Sequence, residues 1–315
     1  MEFAKNEICQ INVLSLFDGI STLHLALDKL GISVNNYYAS EIERDSISIS
    51  NYNFPNVINL GDINNWKEWD IDWDSIDVVA GGSPCQSFSI ANQGNRNDKG
   101  FEGKSKLFFV YLDILNHIKD RNAEVKFLLE NVKMKKEWRD KISSYLEVAP
   151  ILIDSEVVSA QHRERYYWCN WNVEPIIKQK NVVLNNIVDN YTDRYFLSDK
   201  HHKAFMKSYN WKHCELNGKG KTIIASYFKQ PPHTTYIPCK ESPSGFRRLT
   251  PLECERVMTL PDNYTKYGIK DGNVNEISDT GRYRAVGNGW TLEVIKHIFS
   301  NLIIPNGGAG WKLAK

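Results

Sequence analysis

Two residues with reactive side chains follow short apolar segments of the sequence. Cys85 comes after Gly81-Gly82-Ser83-Pro84, and Glu130 comes after Leu128-Leu129. The glycines and the proline predict a loop that exposes the thiol, and a thiolate is a nucleophile for covalent catalysis. A carboxyl group beside apolar residues is partly desolvated, which suits it to proton exchange. Taken singly, a cysteine is more often a small buried residue, and a strand-end glutamate is more often part of a salt bridge.

Two arginines that stand two residues apart are candidates for holding an anionic group. Arg163 and Arg165 stand two residues apart, so in a strand their side chains share one face. There they would bind an anion or pair with Glu130, although most surface arginines do neither. The glycine-rich stretch 284–290 is predicted to be a turn before the last helix, with an ordinary loop as the alternative.

A cofactor-binding turn is predicted where the first strand joins the first helix. Phe17-Asp18-Gly19-Ile20 occupies this turn, and open α/β sheets bind ligands beyond the carboxyl ends of their strands. Glu41 and Asp62 end the next two predicted strands, where carboxylates suit a ribose and an adenine amino group. The fingerprint GxGxxG is absent, which argues against a dinucleotide. Each acid is about equally well explained as a helix cap or a turn residue.

A doubly wound α/β fold is predicted to position these residues, because short apolar segments alternate with amphipathic helical ones. Strands are predicted at residues 11–17, 34–41, 57–62, 76–80 and 125–130. Helices are predicted at residues 23–30, 44–52, 107–118, 138–146, 251–260 and 291–302. We expect the first five strands to be parallel, and 151–159 to pair antiparallel with 166–169. Thr250 is expected to cap the helix that follows it.

Length and composition fit a large α/β domain with a smaller second one. The 315 residues are 42% hydrophobic and 24% charged, as in ordinary soluble globular proteins. No apolar run reaches the roughly 18 residues of a membrane span, and no signal peptide is recognised. Six cysteines without CxxC pairs indicate neither zinc nor disulfides, which fits a reducing cytoplasm. We expect a catalytic and cofactor-binding domain at 1–170 plus 280–315, and a small domain at 171–279.

The segment 200–250 is the most basic part of the chain. It holds ten Lys or Arg residues against Glu215 and Glu241, a local charge of +8, while the whole chain carries +1, so the remainder sums to −7. Aromatic residues are interleaved with these cations, namely Tyr209, Trp211, Tyr227, Phe228 and Tyr236. This mixture favours a nucleic-acid surface, since cations meet phosphates and rings stack on bases. A solvated surface is the alternative.

In their order and type, these motifs resemble those of the C5-cytosine DNA methyltransferase family along almost the whole chain. The matching segments are Phe17-Asp18-Gly19, Pro84-Cys85-Gln86, Glu130-Asn131-Val132, Gln161 with Arg163 and Arg165, Arg248-Leu249-Thr250-Pro251 with Glu253, and Gly287-Asn288. The chain looks closest to the catalytic domain of eukaryotic de novo DNA methyltransferases, in a compact form of bacterial or phage type. It departs from the family pattern at Ser21 or Leu23, where glycine is frequent, and at Gly289, where serine is frequent.

The resemblance implies a class I S-adenosylmethionine-dependent methyltransferase fold, Rossmann-like with a mixed, mostly parallel sheet, and a small target-recognition domain. It implies double-stranded DNA as substrate, S-adenosyl-L-methionine as cofactor, and no metal. The target cytosine would be flipped out of the duplex, and Cys85 would add to its C6. Glu130 would share a proton with the ring while C5 takes the methyl group. Arg165 would orient the base and Glu130, with Arg163 nearby.

The same resemblance implies specific site residues. The catalytic residues would be Cys85, Glu130, Arg163 and Arg165. The cofactor would be held by Phe17, Asp18, Gly19, Ile20, Glu41, Ile42, Asp62, Ile63, Ser83, Pro84, Leu107, Asn288, Gly289 and Trp290. DNA would be contacted by Gln86, Ser87, Lys221, Lys229, Arg247 and Arg248. Residues 171–246 would read a short target sequence. A companion restriction endonuclease is a candidate partner, and the oligomeric state stays open.

Two other functions are alternatives. A tRNA cytosine methyltransferase would share the fold and the chemistry, but the basic segment and the stretch 157–168 favour DNA. A catalytically silent homologue that binds DNA or partner enzymes is expected to have lost Cys85 or Glu130, and both are present.

Overall fold

A twisted sheet forms the centre of the chain in the computed structural model, which describes residues 10–84, 106–176, 181–207 and 212–302. Within these residues the sheet has seven strands, in the order β3-β2-β1-β4-β5-β7-β6. Their bounds are β1 Ile11–Leu16, β2 Val34–Ser40, β3 Ile58–Asn59, β4 Val78–Gly82, β5 Lys126–Val132, β6 Ile151–Asp154 and β7 Glu164–Cys169.

The strand directions agree with the sequence prediction. Strands β1 to β5 pair in parallel, and β7 pairs antiparallel with both β5 and β6. The chain leaves β1 toward β2 and β3 and then returns to the other side of β1 as β4. The strand order therefore reverses beside β1, and the carboxyl ends at this reversal form the usual ligand-binding crevice of such sheets.

Helices cover both faces of the sheet. They are α1 Thr22–Lys29, α2 Arg44–Asn53, α3 Leu107–Lys119, α4 Lys136–Leu146, α5 Asp199–Met206, α6 Pro251–Val257, α7 Asp279–Asn288 and α8 Leu292–Ser300. Alternate residues of β1 enter two separate apolar cores. Val13 packs in the core that contains α1 and α8, whereas Leu14 packs in the core that contains α3 and α4. This alternation follows from the two-residue period of a strand that is buried on both sides.

Strand β3 is shorter than predicted, because its carboxyl end turns sharply. The prediction of a strand at 57–62 was wrong beyond Asn59. Gly61 has a φ of +73°, in the left-handed region that favours glycine, and its N–H donates to the side chain of Asn59 over 2.7 Å. Asp62 then caps a short 3₁₀ helix, Ile63–Glu68.

The glycine-rich stretch before the last helix is mostly helical. The prediction of a turn over 284–290 was wrong for 284–288, which form the end of α7. The helix needs a glycine at 287, because the backbone of Ile224 and Ala225 lies so close that there is no room for a side chain. A Cβ at Gly287 would stand 2.3 Å from Ala225 N. The turn itself is confined to Gly289, Trp290 and the start of α8.

The segment 250–279 packs against the part of the chain that carries the large sheet. Thr250 caps α6 through a reciprocal capping box with Glu253, which confirms the predicted cap. Tyr264 donates its hydroxyl to the carbonyl of Ile20 over 2.7 Å. The hairpin of β10 (Tyr267–Lys270) and β11 (Asn273–Glu276) packs on α2. The domain boundary expected at 279 stays a prediction.

The segment 181–249 contains α5 and a two-stranded sheet of β8 (Tyr236–Pro238) and β9 (Phe246–Arg248). Phe205 of α5 packs on Tyr236 with ring centroids 5.5 Å apart. In all the described ranges, no helix has the length and apolar composition needed to cross a membrane.

A buried ion pair joins β9 to α6. The guanidinium of Arg247 donates to both carboxylate oxygens of Glu253 at 2.7 Å, and the two side chains are 3% and 0% exposed. The carboxylate also accepts the N–H of Thr250 and the N–H of Asp189. The Arg247 guanidinium lies over the ring of Tyr191 at 4.1 Å. Both carboxylate oxygens of Glu253 thus accept hydrogen bonds, and the guanidinium of Arg247 is held between this carboxylate and the ring of Tyr191.

We expect Arg247→Met to lower the free energy of unfolding by about 3–5 kcal/mol, because it leaves the carboxylate of Glu253 buried without its cation. Urea unfolding followed by circular dichroism measures the change. The matched control is Asp262→Asn, which removes one partner of the more solvent-accessible pair between Arg256 of α6 and Asp262, beyond the end of that helix. That control should cost less than about 1 kcal/mol. Equal, small losses for both variants would contradict the structural role of the buried pair.

Candidate functional site

A cavity of about 410 Å³ lies at the carboxyl ends of the parallel strands. Its walls contain most of the residues singled out in the sequence. Those are Phe17, Gly19, Glu41, Ile42, Asp62, Ile63, Ser83, Pro84, Leu107, Glu130, Arg163, Arg165 and Asn288. The register of the sheet explains this grouping, since Leu16 pairs with Gly81, and Gly82 pairs with Glu130.

Four residues predicted to hold the cofactor do not line the cavity. The carboxylate of Asp18 points into the protein, where it accepts the hydroxyls of Ser21 at 2.5 Å and Tyr37 at 2.7 Å. Burial raises the pKa of Asp18, and these hydrogen bonds oppose the shift. Ile20 is fully buried in the core. Gly289 and Trp290 lie next to the cavity, at the end of α7.

The carboxylate of Glu41 is fixed by three backbone N–H groups. Gly19 donates to one oxygen at 2.8 Å, and Ile42 and Glu43 donate to the other at 2.7 and 2.8 Å. Gly19 has a φ of +65°, a conformation that glycine adopts without strain. Burial raises the pKa of Glu41, while the three donors oppose the shift. The carboxylate is thereby held in one orientation at the cavity wall, with lone pairs left for a ligand.

Asp62 combines the two roles that its sequence position suggested. One carboxylate oxygen accepts the N–H of Asn64 at 2.9 Å and the side-chain amide of Asn64 at 2.8 Å, which caps the 3₁₀ helix. The same residue and Ile63 line the cavity. The capping and ligand-binding explanations are therefore compatible.

Glu130 lies on β5 with a hydrogen-bond donor at each carboxylate oxygen. Arg165 Nε is 3.0 Å from Oε1, and Trp290 Nε1 donates to Oε2 over 3.1 Å. The side chains of Glu130 and Arg165 are 11% and 15% exposed, so this ion pair is largely desolvated. Arg165 therefore pairs with Glu130, as one of the sequence hypotheses stated.

Arg163 has a different role from its neighbour. Its guanidinium donates to the carbonyls of Ile223, Gly287 and Gly289 at 2.9, 3.3 and 2.9 Å. The residue is only 4% exposed. Arg163 thus fastens the segment around 223 to the end of α7, beside the cavity, through hydrogen bonds to backbone carbonyls.

Asn131 is a site residue that the sequence analysis did not single out. Its side-chain amide donates to Ser83 Oγ at 3.1 Å and to the Ser83 carbonyl at 3.3 Å. Ser83 and Pro84 are the last residues before Cys85. Cys85, Gln86 and Ser87 lie outside the described residues, so their predicted roles stay predictions. The signal for Asn131 was its place directly after Glu130 in the quoted motif.

The four predicted DNA-binding cations that the structure describes differ in how accessible their charges are. Arg247 is buried in its pair with Glu253, so its side chain is unavailable to a phosphate, and we assign it to the fold. Arg248 donates to the Phe228 carbonyl and lies over the ring of Tyr283 at 5.3 Å. Lys221 is half-buried and donates to a backbone carbonyl, whereas Lys229 is exposed.

Other lysines of the basic segment form an exposed surface. Lys200 and Lys203 lie on α5, and Lys207 follows its last turn. Their spacing of three and four residues places them along one side of the helix. Lys212 and Lys240 are also exposed. Half of the six exposed lysines described in this segment, namely Lys200, Lys203 and Lys207, therefore lie on or next to helix α5.

One group of possible metal ligands lies away from the cavity. Asp154, Glu156 and His162 bring their ligand atoms within 4.8 Å of one another. The ring of His162 is 58% exposed and lies within ion-pair distance of both carboxylates. Ion pairing at the sheet edge accounts for this cluster, and the absence of a catalytic metal stays a prediction.

Comparison with known proteins agrees with this geometry. The family model described as C-5 cytosine-specific DNA methylase matches residues 11–167 and 134–303. The Type II methyltransferase M1.ScrFI of Lactococcus lactis subsp. cremoris is 27% identical over 342 residues, which cover 96% of this chain and 80% of that protein. The Type II methyltransferase M.NlaX of Neisseria lactamica is 28% identical over 321 residues, which cover 91% and 94%.

A solved structure shares the fold. The Entamoeba histolytica methyltransferase EhMeth superposes with a TM-score of 0.70 at 18% identity, covering 93% of this chain and 98% of that one. The family match spans both the sheet with its cavity and the C-terminal helices that close it. The chain therefore belongs to the C-5 cytosine-specific DNA methylase family and is a DNA cytosine-5 methyltransferase.

Proposed function

We propose that this methyltransferase acts on a cytosine flipped out of duplex DNA, with Cys85 as nucleophile, Glu130 as the residue that holds the base, and S-adenosylmethionine as methyl donor. The observation that carries the proposal is one shared cavity. The carboxylate of Glu130, paired with Arg165, faces the same space as the fixed carboxylate of Glu41. Methyl transfer from a nucleoside cofactor to a base requires both ligands side by side.

The charges of the cavity fit S-adenosylmethionine. Acidic side chains line it, namely Glu41, Glu43, Asp62 and Glu130. The arginines present are engaged, Arg163 by backbone carbonyls and Arg165 by Glu130. Such a lining repels the phosphates of a dinucleotide and attracts a sulfonium cation. When bound, S-adenosylmethionine supplies the electrophilic methyl group.

Particular residues would hold this cofactor. Apolar walls for an adenine come from Phe17, Ile42, Ile63 and Leu107. Ile42 is 65% exposed, and covering it with a planar base would remove apolar surface from water. Glu41 and Asp62 offer carboxylate oxygens to the ribose hydroxyls and the adenine amino group. Asn288 lines the same cavity from the end of α7.

Glu130 would recognise the cytosine through its Watson–Crick edge. One carboxyl oxygen would accept a hydrogen bond from the exocyclic amine, while the other would share a proton with ring N3. Protonation at N3 makes C6 a better electrophile, because the ring can then accept the electron pair of a nucleophile. Arg165 holds the carboxyl group in place for this step. The cavity reaches Glu130 on the sheet, so the base must leave the duplex to meet it.

Cys85 would provide the covalent step. Its thiolate would form a bond to C6, and the π electrons of the ring would move as N3 takes the proton shared with Glu130, which makes C5 nucleophilic. C5 would then bond to the methyl group, whose bond to the sulfonium sulfur breaks and leaves its electron pair on that sulfur. A base then removes the C5 proton, the C5–C6 double bond forms again, and the thiolate leaves with the electrons of the S–C6 bond. Asn131 donates a hydrogen bond to Ser83, two residues before Cys85, and thereby fixes the chain beside Glu130.

The DNA would lie against the basic segment. We place phosphate contacts on exposed lysines of α5 and on Lys229, and we leave Arg247 out because it is buried. Residues 171–249 would form the target-recognition domain, and the remaining described parts would form the catalytic domain. The names of the bacterial relatives, Type II methyltransferases, support a role in restriction and modification, with an endonuclease as companion.

We expect Cys85→Ala to abolish methylation while cofactor binding is retained. DNA that carries 5-fluorocytosine at the target position sharpens the test, because fluorine cannot be removed as a proton and the Cys85 adduct should accumulate. Bisulfite sequencing of plasmid DNA from a methylation-free host measures activity, and denaturing electrophoresis detects the adduct. Cys214→Ala, a substitution of a buried cysteine in the basic segment, is the matched control.

Three outcomes would contradict this assignment. Equal methylation by Cys85→Ala would remove Cys85 from the mechanism. Methylation of tRNA in place of duplex DNA would favour the RNA alternative. Soluble wild-type protein that methylates neither would favour a silent homologue.

We expect the triple substitution of Lys200, Lys203 and Lys207 by alanine to weaken DNA binding and to flatten its salt dependence. Each lysine that contacts a phosphate should contribute about 0.9 to the slope of log affinity against log salt concentration. The control replaces the exposed lysines Lys29, Lys67 and Lys270, which changes the net charge equally. Fluorescence anisotropy at several salt concentrations measures both slopes. Equal slopes for the two triple variants would exclude α5 from the DNA surface.

A further inference from the structure

Trp290 makes a contact that its predicted role in cofactor binding does not explain. The indole N–H donates to Glu130 Oε2 over 3.1 Å, on the oxygen that Arg165 does not contact through Nε. Trp290 is not among the residues that line the cavity. Its side chain is therefore directed to the carboxylate that would hold the base, rather than to the cofactor space.

Gly82 provides the room for this hydrogen bond. It pairs with Glu130 across β4 and β5. A Cβ at position 82 would lie 2.7 Å from Glu130 Oε2 and 3.1 Å from Trp290 Nε1, so a side chain there would displace the Glu130 carboxylate and crowd the indole. The contact thus depends on a glycine in a strand, where glycine otherwise weakens the structure.

The backbone on both sides of Trp290 is also held. The carbonyl of Gly289 accepts a hydrogen bond from Arg163 at 2.9 Å. The hydroxyl of Thr291 lies 2.9 Å from the hydroxyl of Ser155. With its neighbours fixed, the indole N–H has a defined direction, which an exposed or mobile tryptophan would lack.

We propose that Trp290 is a positioning residue for Glu130, and this inference rests on the proposed function. A carboxylate held at one oxygen can still rotate about its Cγ–Cδ bond. A second donor at the other oxygen fixes the plane of the carboxyl group, so that it presents its remaining lone pairs to the base in one orientation. Positioning of this kind affects the rate of the chemical step more than the affinity for either ligand.

The test is Trp290→Phe, which removes the N–H donor and keeps an aromatic ring. The matched control is Trp168→Phe, because Trp168 Nε1 also donates a hydrogen bond, to Ser143 Oγ at 2.9 Å, outside the cavity lining. We expect Trp290→Phe to lower kcat by roughly 10- to 100-fold, the effect of losing a hydrogen bond to a charged group. The Kd for S-adenosylmethionine and the KM for DNA should stay within about twofold. Trp168→Phe should keep the wild-type kcat.

Two results would overturn the inference. An unchanged kcat with a raised Kd for S-adenosylmethionine would make Trp290 a cofactor-binding residue. A similar fall in kcat for Trp168→Phe and Trp290→Phe would mean that general destabilisation explains the effect. If Trp290→Phe does not fold, Gly82→Ala tests the same contact, and wild-type kcat there would overturn the inference. A wild-type protein that methylates no DNA would overturn the proposed function itself, and the inference with it.

Discussion

The position of the Glu130 carboxylate depends on backbone pairing across three neighbouring strands. Gly82 of β4 stands beside Glu130 on one side, and Tyr167 of β7 pairs with it on the other. The antiparallel direction of β7 brings Arg165, two residues before Tyr167, next to the end of β5. A parallel strand in the same place would carry its arginine in the opposite direction along β5. The irregular edge of the sheet is therefore part of the site.

A second constraint links the cavity to the segment that would recognise DNA. Arg163 stands directly before β7, the strand that carries Arg165, but its guanidinium donates to the carbonyls at 223, 287 and 289. The close approach of Gly287 to the backbone at 224–225 supports the same junction. A displacement of the recognition segment would disturb the end of α7, and Trp290 follows directly after it. The orientation of the Glu130 carboxylate and the position of the segment around 223 are thus connected through the end of α7.

The sequence predicted the parallel strands well, because strands buried on both faces are continuous apolar runs with glycine or acidic residues at their ends. It predicted Glu41, Asp62 and Glu130 as site residues for the same reason. It failed at β3 and at 284–288, where tertiary contacts decide the conformation. At β3 the side chain of Asn59 and the left-handed Gly61 stop the strand. In α7, the glycine-rich sequence suggested a turn, but the backbone at 224–225 packs against Gly287 where a side chain would not fit, and the segment is helical.

Charge was the least reliable guide, because the sequence cannot show which cations are already paired. Of the ten positive residues between 200 and 250, Arg247 is neutralised by Glu253, and Lys219 donates to three backbone carbonyls. Both stabilise the segment from inside. A guanidinium or ammonium group that is hydrogen-bonded within the fold adds little to the affinity for DNA, because it cannot contact a phosphate and release its counterion. The accessible positive charge is consequently smaller than +8. Lys200, Lys203 and Lys207, three of its exposed lysines, follow one side of α5 and its end, which gives the proposed DNA contact a definite side of the small domain.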